Sequence, residues 1–357
     1  MTDANLLSVR AGPRALAALQ AGGLSPQDVA VIPAAAGGPK GLALHGLDCA
    51  LFGDWLPRAP RTRYLVGASI GAWRMAAAAM PDPVVGLRRL ADLYCDQRYP
   101  RNPSREFVTR YCAELVENFV ADGAHGVLSH PHHRLSVLAV RGKRLLARDG
   151  PRRTTAGFVA AALANAFSRR QLGQFLDRTW FFDARDRPPL LPLSDFHTHE
   201  VPLTPVNLKP ALLASGTIPL VLDAVNDIAD APAGSYWDGG IIDYPLHLPY
   251  PRADGLVLYP HFVDHVVPGW LDKGLPWRRA RGAWLDNLVL ISPTRAFLER
   301  LPNRKLPDRK DFNRYGADRQ EDRVRDWRRA VGESGRLGEA FLRLVDSGEI
   351  ARVARAL

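Results

Sequence analysis

The chain has 357 residues, of which 46% are hydrophobic and 24% charged, the balance of an ordinary globular protein. A chain of this length can bury a core without disulfides or a structural metal, and Cys49, Cys95 and Cys112 lack the spacing of a disulfide framework or a zinc site. The formal net charge is +10 without a nucleic-acid-binding motif, so we expect no nucleic-acid partner.

The positive charge consists mostly of arginine, which we interpret either as a general surface property or as attraction to an anionic lipid surface. The N-terminal residues lack a basic segment followed by an apolar run, and no apolar stretch reaches the roughly 18 residues of a membrane span. We therefore expect a cytoplasmic protein with at most peripheral contact to a membrane. The oligomeric state is left open.

Short apolar runs alternate with segments of helical periodicity along the first part of the chain. We expect, in chain order, a buried strand over 28–36, a helix over 42–56, a strand over 63–66, helices over 72–80 and 82–94, and a strand over 135–140. The alternation of strands and helices predicts an α/β layered fold, in which chemistry collects at the carboxyl ends of the strands.

The second part of the chain is less regular. Residues 156–167 are apolar on all sides, which predicts a buried helix, or alternatively the wall of an acyl-binding site. The proline-rich stretch 187–210 predicts loops and short extended pieces, a helix is expected to end at 211–213, and 256–259 predicts a strand. Residues 301–330 are dense in arginine and aspartate, and 320–356 predict two exposed amphipathic helices.

The strongest chemical signal is the run 67–71, Gly-Ala-Ser-Ile-Gly, between a predicted strand and a predicted helix. It matches the G-x-S-x-G nucleophile elbow, in which a strained turn exposes the hydroxyl of the serine, here Ser69. Gly67 and Gly71 would leave room where strand and helix nearly touch. The alternative is a tight turn with an inert serine.

A second glycine-rich turn, Gly-Gly-Pro-Lys-Gly at 37–41, also links a strand to a helix. Such a turn can aim backbone amides at an anion, either a phosphate or the oxyanion of an acyl-transfer intermediate. Walker A spacing and G-x-G-x-x-G are missing, which disfavours a nucleotide. Gly37 and Gly38 can donate, Pro39 has no N–H, and Lys40 adds positive charge.

Asp238 precedes two glycines, Gly239 and Gly240, an arrangement typical of a turn, although the carboxylate could also accept the proton of a serine. Histidine is the more usual base, and ten are present. His247 follows the aspartate closely, and the others include clusters at 130–133, 197–199 and 261–265. These clusters lack H-E-x-x-H or companion carboxylate spacing, so no metal site is predicted.

Four motifs in order resemble the patatin-like phospholipase family: the loop 37–41, the elbow 67–71, the segment Ala-Ser-Gly-Thr-Ile-Pro at 214–219 and the Asp-Gly-Gly run at 238–240. The resemblance covers residues 28–260. It implies a three-layer α/β/α fold with a mostly parallel central sheet, carried by a catalytic domain over 28–260. Residues 261–357 are then a helical extension packed on the core.

The resemblance also implies how the reaction is carried out. Ser69 would be the nucleophile of a Ser–Asp dyad, Asp238 its base, and the amides of Gly37 and Gly38 the oxyanion hole. The supporting motif residues are Pro39, Lys40, Gly41, Gly67, Gly71, Gly239 and Gly240. The implied reaction is hydrolysis of acyl esters through an acyl-enzyme, on an acyl lipid or phospholipid, without a metal or a cofactor.

This sequence departs from the family pattern at Ala36, where a third glycine is common, and at Pro39 and Thr217. These changes bear on which amides face the oxyanion but remove no catalytic atom. Two alternatives are kept: an esterase or thioesterase that acts on soluble acyl compounds, and a non-catalytic membrane-surface protein with a hydrolase fold.

Overall fold

An eleven-stranded mixed sheet forms the middle layer of the structure, with helices on both sides. The computed structural model describes residues 6–267, 269–272, 274–275, 277–278, 280 and 282–357. The strands are β1 Leu7–Ala11, β2 Val29–Ala34, β3 Arg63–Ala68, β4 His133–Gly142, β5 Leu176–Asp183, β6 Thr198–Leu203, β7 Val225–Asn226, β8 Ser235–Asp238, β9 Leu256–Pro260, β10 Leu288–Pro293 and β11 Arg355–Ala356.

Thirteen α-helices lie in the described part of the chain. They are α1 Pro13–Gly22, α2 His45–Ala50, α3 Ile70–Ala78, α4 Pro83–Cys95, α5 Arg105–Val120, α6 Ala124–Ser129, α7 Pro151–Phe167, α8 Leu208–Gly216, α9 Gly240–Asp243, α10 Arg295–Leu298, α11 Lys310–Tyr315, α12 Gln320–Asp346 and α13 Ile350–Val353. Within these helices, none combines the length and apolarity needed to cross a membrane.

The sheet order is β11-β1-β10-β9-β2-β3-β4-β5-β6, and β8 pairs with β4 and β7 beside this path. Strands β10, β9, β2, β3 and β4 run parallel to one another, whereas β5 and β8 pair antiparallel with β4. Strand β2 is buried along its whole length and β3 along most of it. The predicted three-layer α/β/α class with a mostly parallel sheet is therefore confirmed.

The predicted strands over 28–36, 63–66, 135–140 and 256–259 are confirmed as β2, β3, β4 and β9. The predicted helix over 42–56 is more complex, because a 3₁₀ helix spans Gly38–Leu44, α2 follows, and a π-helical turn spans Leu51–Trp55. The prediction of loops and short extended pieces over 187–210 agrees with β6 and was wrong only at its end, where α8 begins at Leu208. The prolines of this stretch flank or interrupt the strand without preventing it.

The helix predicted over 156–167 exists as α7, but the expectation that it is buried was wrong. Its small residues Gly157 and Ala161 face inward, while Val159, Leu163 and Phe167 are 55%, 66% and 94% exposed. One narrow face of small side chains is enough to pack the helix closely, which leaves the other faces in solvent. No α7 residue lines the two cavities described below, so the alternative of an acyl-binding wall has no support.

The two helices predicted within 320–356 are present as α12 and α13. Helix α12 packs against α2, where the Gly46 amide donates to Ser334 Oγ at 2.8 Å, and Phe341 makes an edge contact with Trp55 at 5.1 Å. Strands β1 and β10, outside 28–260, belong to the same sheet. The division of the chain at residue 260 stays a prediction.

Two buried histidines predict how stability depends on pH. His133, at the start of β4, is 4% exposed and His261 is 1% exposed, and burial lowers the pKa of each imidazole to about 3. Below pH ~6.5 the unfolded chain binds protons that the folded chain does not accept until about pH 3, so stability falls as pH falls through this window. Between pH 7 and pH 5 we expect each histidine to lower the free energy of unfolding by about 2 kcal/mol.

Urea unfolding at the two pH values measures this loss. His133→Asn and His261→Asn are each expected to reduce the difference in the free energy of unfolding between pH 7 and pH 5. His125→Asn, at an exposed position, is the control that keeps the full difference. If the free energy of unfolding of both buried-site variants depended on pH as strongly as that of the wild type, His133 and His261 would not be the source of the pH dependence.

Candidate active site

The elbow that carries Ser69 lies between the carboxyl end of β3 and the first turn of α3. Ser69 has φ 57° and ψ −133°, a conformation that costs a non-glycine residue about 1–3 kcal/mol. A Cβ at Gly67 would lie 2.4 Å from the Ala72 backbone, and one at Gly71 would lie 1.9 Å from the Ala34 carbonyl oxygen. The two glycines are therefore required by the close approach of helix and strands.

Ser69 and Asp238, far apart in sequence, meet at the ends of neighbouring segments of the sheet. Strand β8 ends at Asp238, which lies opposite Ala139 of β4. Ser69 Oγ donates a hydrogen bond to Asp238 Oδ2 at 2.7 Å, and both residues are buried. The Gly240 amide donates to Oδ1 at 2.7 Å, which fixes the orientation of the carboxylate. The serine predicted as nucleophile and the aspartate predicted as base thus form a pair in hydrogen-bonding contact.

Ser215 holds the elbow in place through two hydrogen bonds, a role that was not predicted from the sequence. Its Oγ accepts from the Ser69 amide at 2.8 Å and donates to the Leu138 carbonyl at 2.6 Å. It therefore ties the elbow to β4 through α8. The signal was available, since Ser215 is the second residue of the 214–219 segment that resembles the family motif.

The glycines after the aspartate are packed as tightly as those of the elbow. A Cβ at Gly239 would lie 2.1 Å from the Leu138 carbonyl oxygen, and one at Gly240 would lie 2.6 Å from the Ala36 Cβ. Only residues without a side chain fit between β4 and the loop that follows β2. The run 238–240 is a turn, as its composition indicates, and it also holds the carboxylate that contacts Ser69.

The loop 37–41 follows β2 and lies beside Ser69. Gly38 has φ +56°, in the left-handed region that favours glycine, and begins the 3₁₀ helix in which Pro39 and Gly41 are buried. Burial lowers the pKa of Lys40, whose Nζ lies 5.0 Å from the centre of the Phe262 ring. Gly37 and Lys40 line a cavity together with Ser69 and Asp238, and Gly38 lines a second cavity together with Ser69.

Two cavities meet at Ser69. The smaller, of about 340 Å³, is lined among others by Gly37, Lys40, Asp238 and Tyr244. The larger, of about 580 Å³, is lined among others by Gly38, Trp73, Tyr94 and Arg323. Ser69, Ile218 and Arg309 line both. A substrate bound across this junction would present its reacting carbon to Ser69 with one part in each cavity.

Arg309 lies at the site, although the sequence did not predict it there. Its Nη2 lies 4.0 Å from Asp238 Oδ2, and its side chain is 42% exposed. It comes from the segment 301–330, where the high density of charged residues gave no indication of which one reaches the site. The region after residue 260 therefore contributes a positive charge to the Ser–Asp pair.

The histidines of the chain lie outside the two cavities at Ser69. Among the described residues that line the two cavities there is no histidine, and His247 instead packs against Trp284 at 5.0 Å. Burial lowers the pKa of His247 to about 4. In this arrangement the group placed to accept the proton of Ser69 is a carboxylate.

One cluster has the composition of a metal site, although the sequence predicted none. Asp177, His197 and His199 offer ligand atoms within 4.8 Å of one another. However, Lys143 Nζ lies 2.7 Å and Arg141 Nη1 3.7 Å from carboxylate oxygens of Asp177. Two cations beside the carboxylate oppose the binding of a dication, so the cluster is better explained as a surface charge network.

Comparison with known proteins adds no assignment to this geometry. A scan of the chain against models of protein families gives no match, and a search of curated proteins finds no significant similarity.

Proposed function

We propose that this protein is a serine acyl hydrolase of the patatin type, which hydrolyses carboxylic esters with Ser69 as nucleophile and Asp238 as general base. The observation that carries the proposal is the 2.7 Å hydrogen bond from Ser69 Oγ to Asp238 Oδ2 at a strained elbow where two cavities meet. A buried serine that donates to a buried carboxylate is arranged for proton transfer on nucleophilic attack.

The reaction would proceed in two steps. As Ser69 Oγ attacks the acyl carbon, Asp238 accepts the hydroxyl proton, and it returns that proton to the departing alcohol when the ester bond breaks. An acyl-enzyme on Ser69 remains. Water then attacks it, Asp238 takes a proton from the water, and the free acid leaves as Ser69 recovers its proton.

The negative charge of the tetrahedral intermediate would be stabilised by fixed dipoles. The amides of Gly37 and Gly38 lie in the loop beside Ser69, and the N-terminus of α3 begins directly after it. Such preorganised donors typically contribute about 3–4 kcal/mol to transition-state stabilisation. The left-handed conformation of Gly38 turns the backbone at this point.

The substrate class rests on the resemblance to patatin-like phospholipases, which implies an acyl lipid or phospholipid. Peripheral contact with an anionic membrane rests on the excess of arginine in the chain. Soluble esters and thioesters are the second candidates, because the same dyad would serve them. A chain-length series of nitrophenyl esters, measured with and without anionic vesicles, separates the two. Strong activation by vesicles supports a lipid substrate, and rates indifferent to vesicles support a soluble one.

The proposal is tested by labelling the purified protein with a fluorophosphonate, which reacts with activated serines. We expect a single adduct by intact mass, located at Ser69 by peptide mapping and missing in Ser69→Ala. Asp238→Asn is expected to slow labelling strongly, since the hydroxyl then lacks its base. A folded protein that takes no label would remove the enzymatic proposal and favour a non-catalytic membrane-surface protein.

A further inference from the structure

Arg323, on α12, is a buried arginine in the wall of the larger cavity. It is 1% exposed, and burial lowers the pKa of its guanidinium. Nη2 donates to the Gln97 carbonyl, and the guanidinium lies over the rings of Phe312 and Trp327 at 4.8 and 4.4 Å. Nη1 is buried without an acceptor among the described residues.

The carboxylates near Arg323 are engaged by other groups. Glu321 is bound by Arg98 at 2.8 Å, and Asp311 is bound by Lys305 at 2.6 Å while accepting from Trp327 Nε1 at 3.0 Å. Within the described part of the chain, Arg323 has no ion pair. Burial of an unpaired charge is costly, so an anion that reached this guanidinium would find a favourable partner.

An aromatic wall connects Arg323 with the reacting serine. Trp73, on the first turns of α3 after Ser69, lies 6.3 Å from Tyr94, and Tyr94 lies 6.2 Å from Trp327, the ring beneath Arg323. Trp73, Tyr94, Ser69 and Arg323 all line the larger cavity. An apolar chain laid along this wall would therefore link the ester at Ser69 to the guanidinium.

We propose that the larger cavity takes an acyl substrate with a second, negatively charged end, a carboxylate or a phosphate group, which Arg323 binds while the ester lies at Ser69. This inference rests on the proposed hydrolase function and narrows its substrates. Arg309, which lines the same cavity, adds a second positive charge. Bidentate hydrogen bonding from an arginine is well matched to both kinds of anion.

The binding test uses the full chain carrying Ser69→Ala, which leaves the ligand intact. Calorimetric titration compares monomethyl dodecanedioate, methyl 11-phosphonoundecanoate and the neutral dimethyl dodecanedioate, because their long chains can follow the aromatic wall from Ser69 to Arg323. We expect at least one anionic ester to bind about 10-fold or more tightly than the diester, and the tighter of the two anions identifies the group. Equal binding of all three esters would overturn the proposal.

Arg323→Met in the same background assigns the preference to this side chain. It is expected to reduce the preference for the anion several-fold, with Arg309 retaining a part of it, whereas Arg325→Met is the control on the same helix and is expected to keep the full preference. Arg325 is 69% exposed, pairs with Asp322 and does not line the cavity. A preference for the anion that is undiminished in Arg323→Met would exclude Arg323 as the anion-binding residue. If that variant does not fold, the titration of the Ser69→Ala chain still decides whether the anion site exists.

Hydrolysis by the wild-type chain separates this inference from the proposed function. The pair of substrates is mono-p-nitrophenyl dodecanedioate and its neutral methyl ester, compared by kcat/KM. Hydrolysis with a roughly 10-fold preference for the anion supports both proposals. Hydrolysis without that preference overturns the anionic substrate alone. An anion preference in binding without any hydrolysis overturns the enzymatic proposal and leaves the anion site standing.

Discussion

Replacing Ser69 with alanine is expected to lower kcat/KM for p-nitrophenyl butyrate by about 10⁴- to 10⁶-fold, because no other group is placed to form the acyl-enzyme. Asp238→Asn is expected to lower it by about 10²- to 10⁴-fold, since the hydrogen bond to Ser69 can persist while the base is lost. The double variant is expected to be no slower than Ser69→Ala alone, because the two residues act as a unit.

Steady-state hydrolysis assays measure kcat/KM for each variant, and circular dichroism verifies that the variant is folded. Ser129→Ala, at the exposed last residue of α6, is the matched control and is expected to keep full activity. Hydrolysis that persists in Ser69→Ala at a substantial fraction of the wild-type rate would mean that another group carries the reaction. Fully additive losses in the double variant would mean that the two residues do not cooperate.

Replacing Gly71 with alanine is expected to cause a large loss of stability. The new Cβ would lie 1.9 Å from the Ala34 carbonyl oxygen and 2.8 Å from the Ala35 carbonyl oxygen, and both are backbone atoms of a buried segment. Neither α3 nor β2 can move without opening the core, so we expect a loss of about 4 kcal/mol or more, or failure to fold.

Gly332→Ala is the matched control for this substitution. Gly332 lies inside α12, where a Cβ would meet no atom within 4 Å. Alanine favours the helix there, so a gain of up to about 1 kcal/mol is expected. Chemical denaturation of the two variants beside the wild type gives the comparison. A Gly71→Ala chain as stable as the wild type would show that helix and strand do not approach as closely as described.

The local part of the site could be predicted from the sequence because each motif encodes its own turn. The elbow at Ser69 has glycines where strand and helix nearly touch, and the run after Asp238 has glycines where the chain passes β4. Resemblance to a family then suggested that the two motifs meet. Their contact at 2.7 Å depends on the pairing of β8 with β4, which no local pattern specifies.

The residues that were missed reach the site through tertiary packing alone. Arg309 and Arg323 belong to a segment with many similar arginines. Arg323 is selected by the docking of α12 on α2 and α4, and Arg309, which directly precedes α11, by the packing of α11 on α12. For the same reason, the burial of α7 was overestimated. Its composition is apolar on all sides, but the composition of a helix does not reveal which of its faces finds a partner.

The two ends of the sheet limit how copies of this protein can associate at high concentration. Strand β6 lies at one end, where Pro202 removes a backbone donor and Arg187 holds the charged Glu200 at 2.8 Å. Strand β11, at the other end, has only two residues. A foreign strand would meet an interrupted, charged edge on one side and a very short one on the other, which disfavours aggregation by sheet extension.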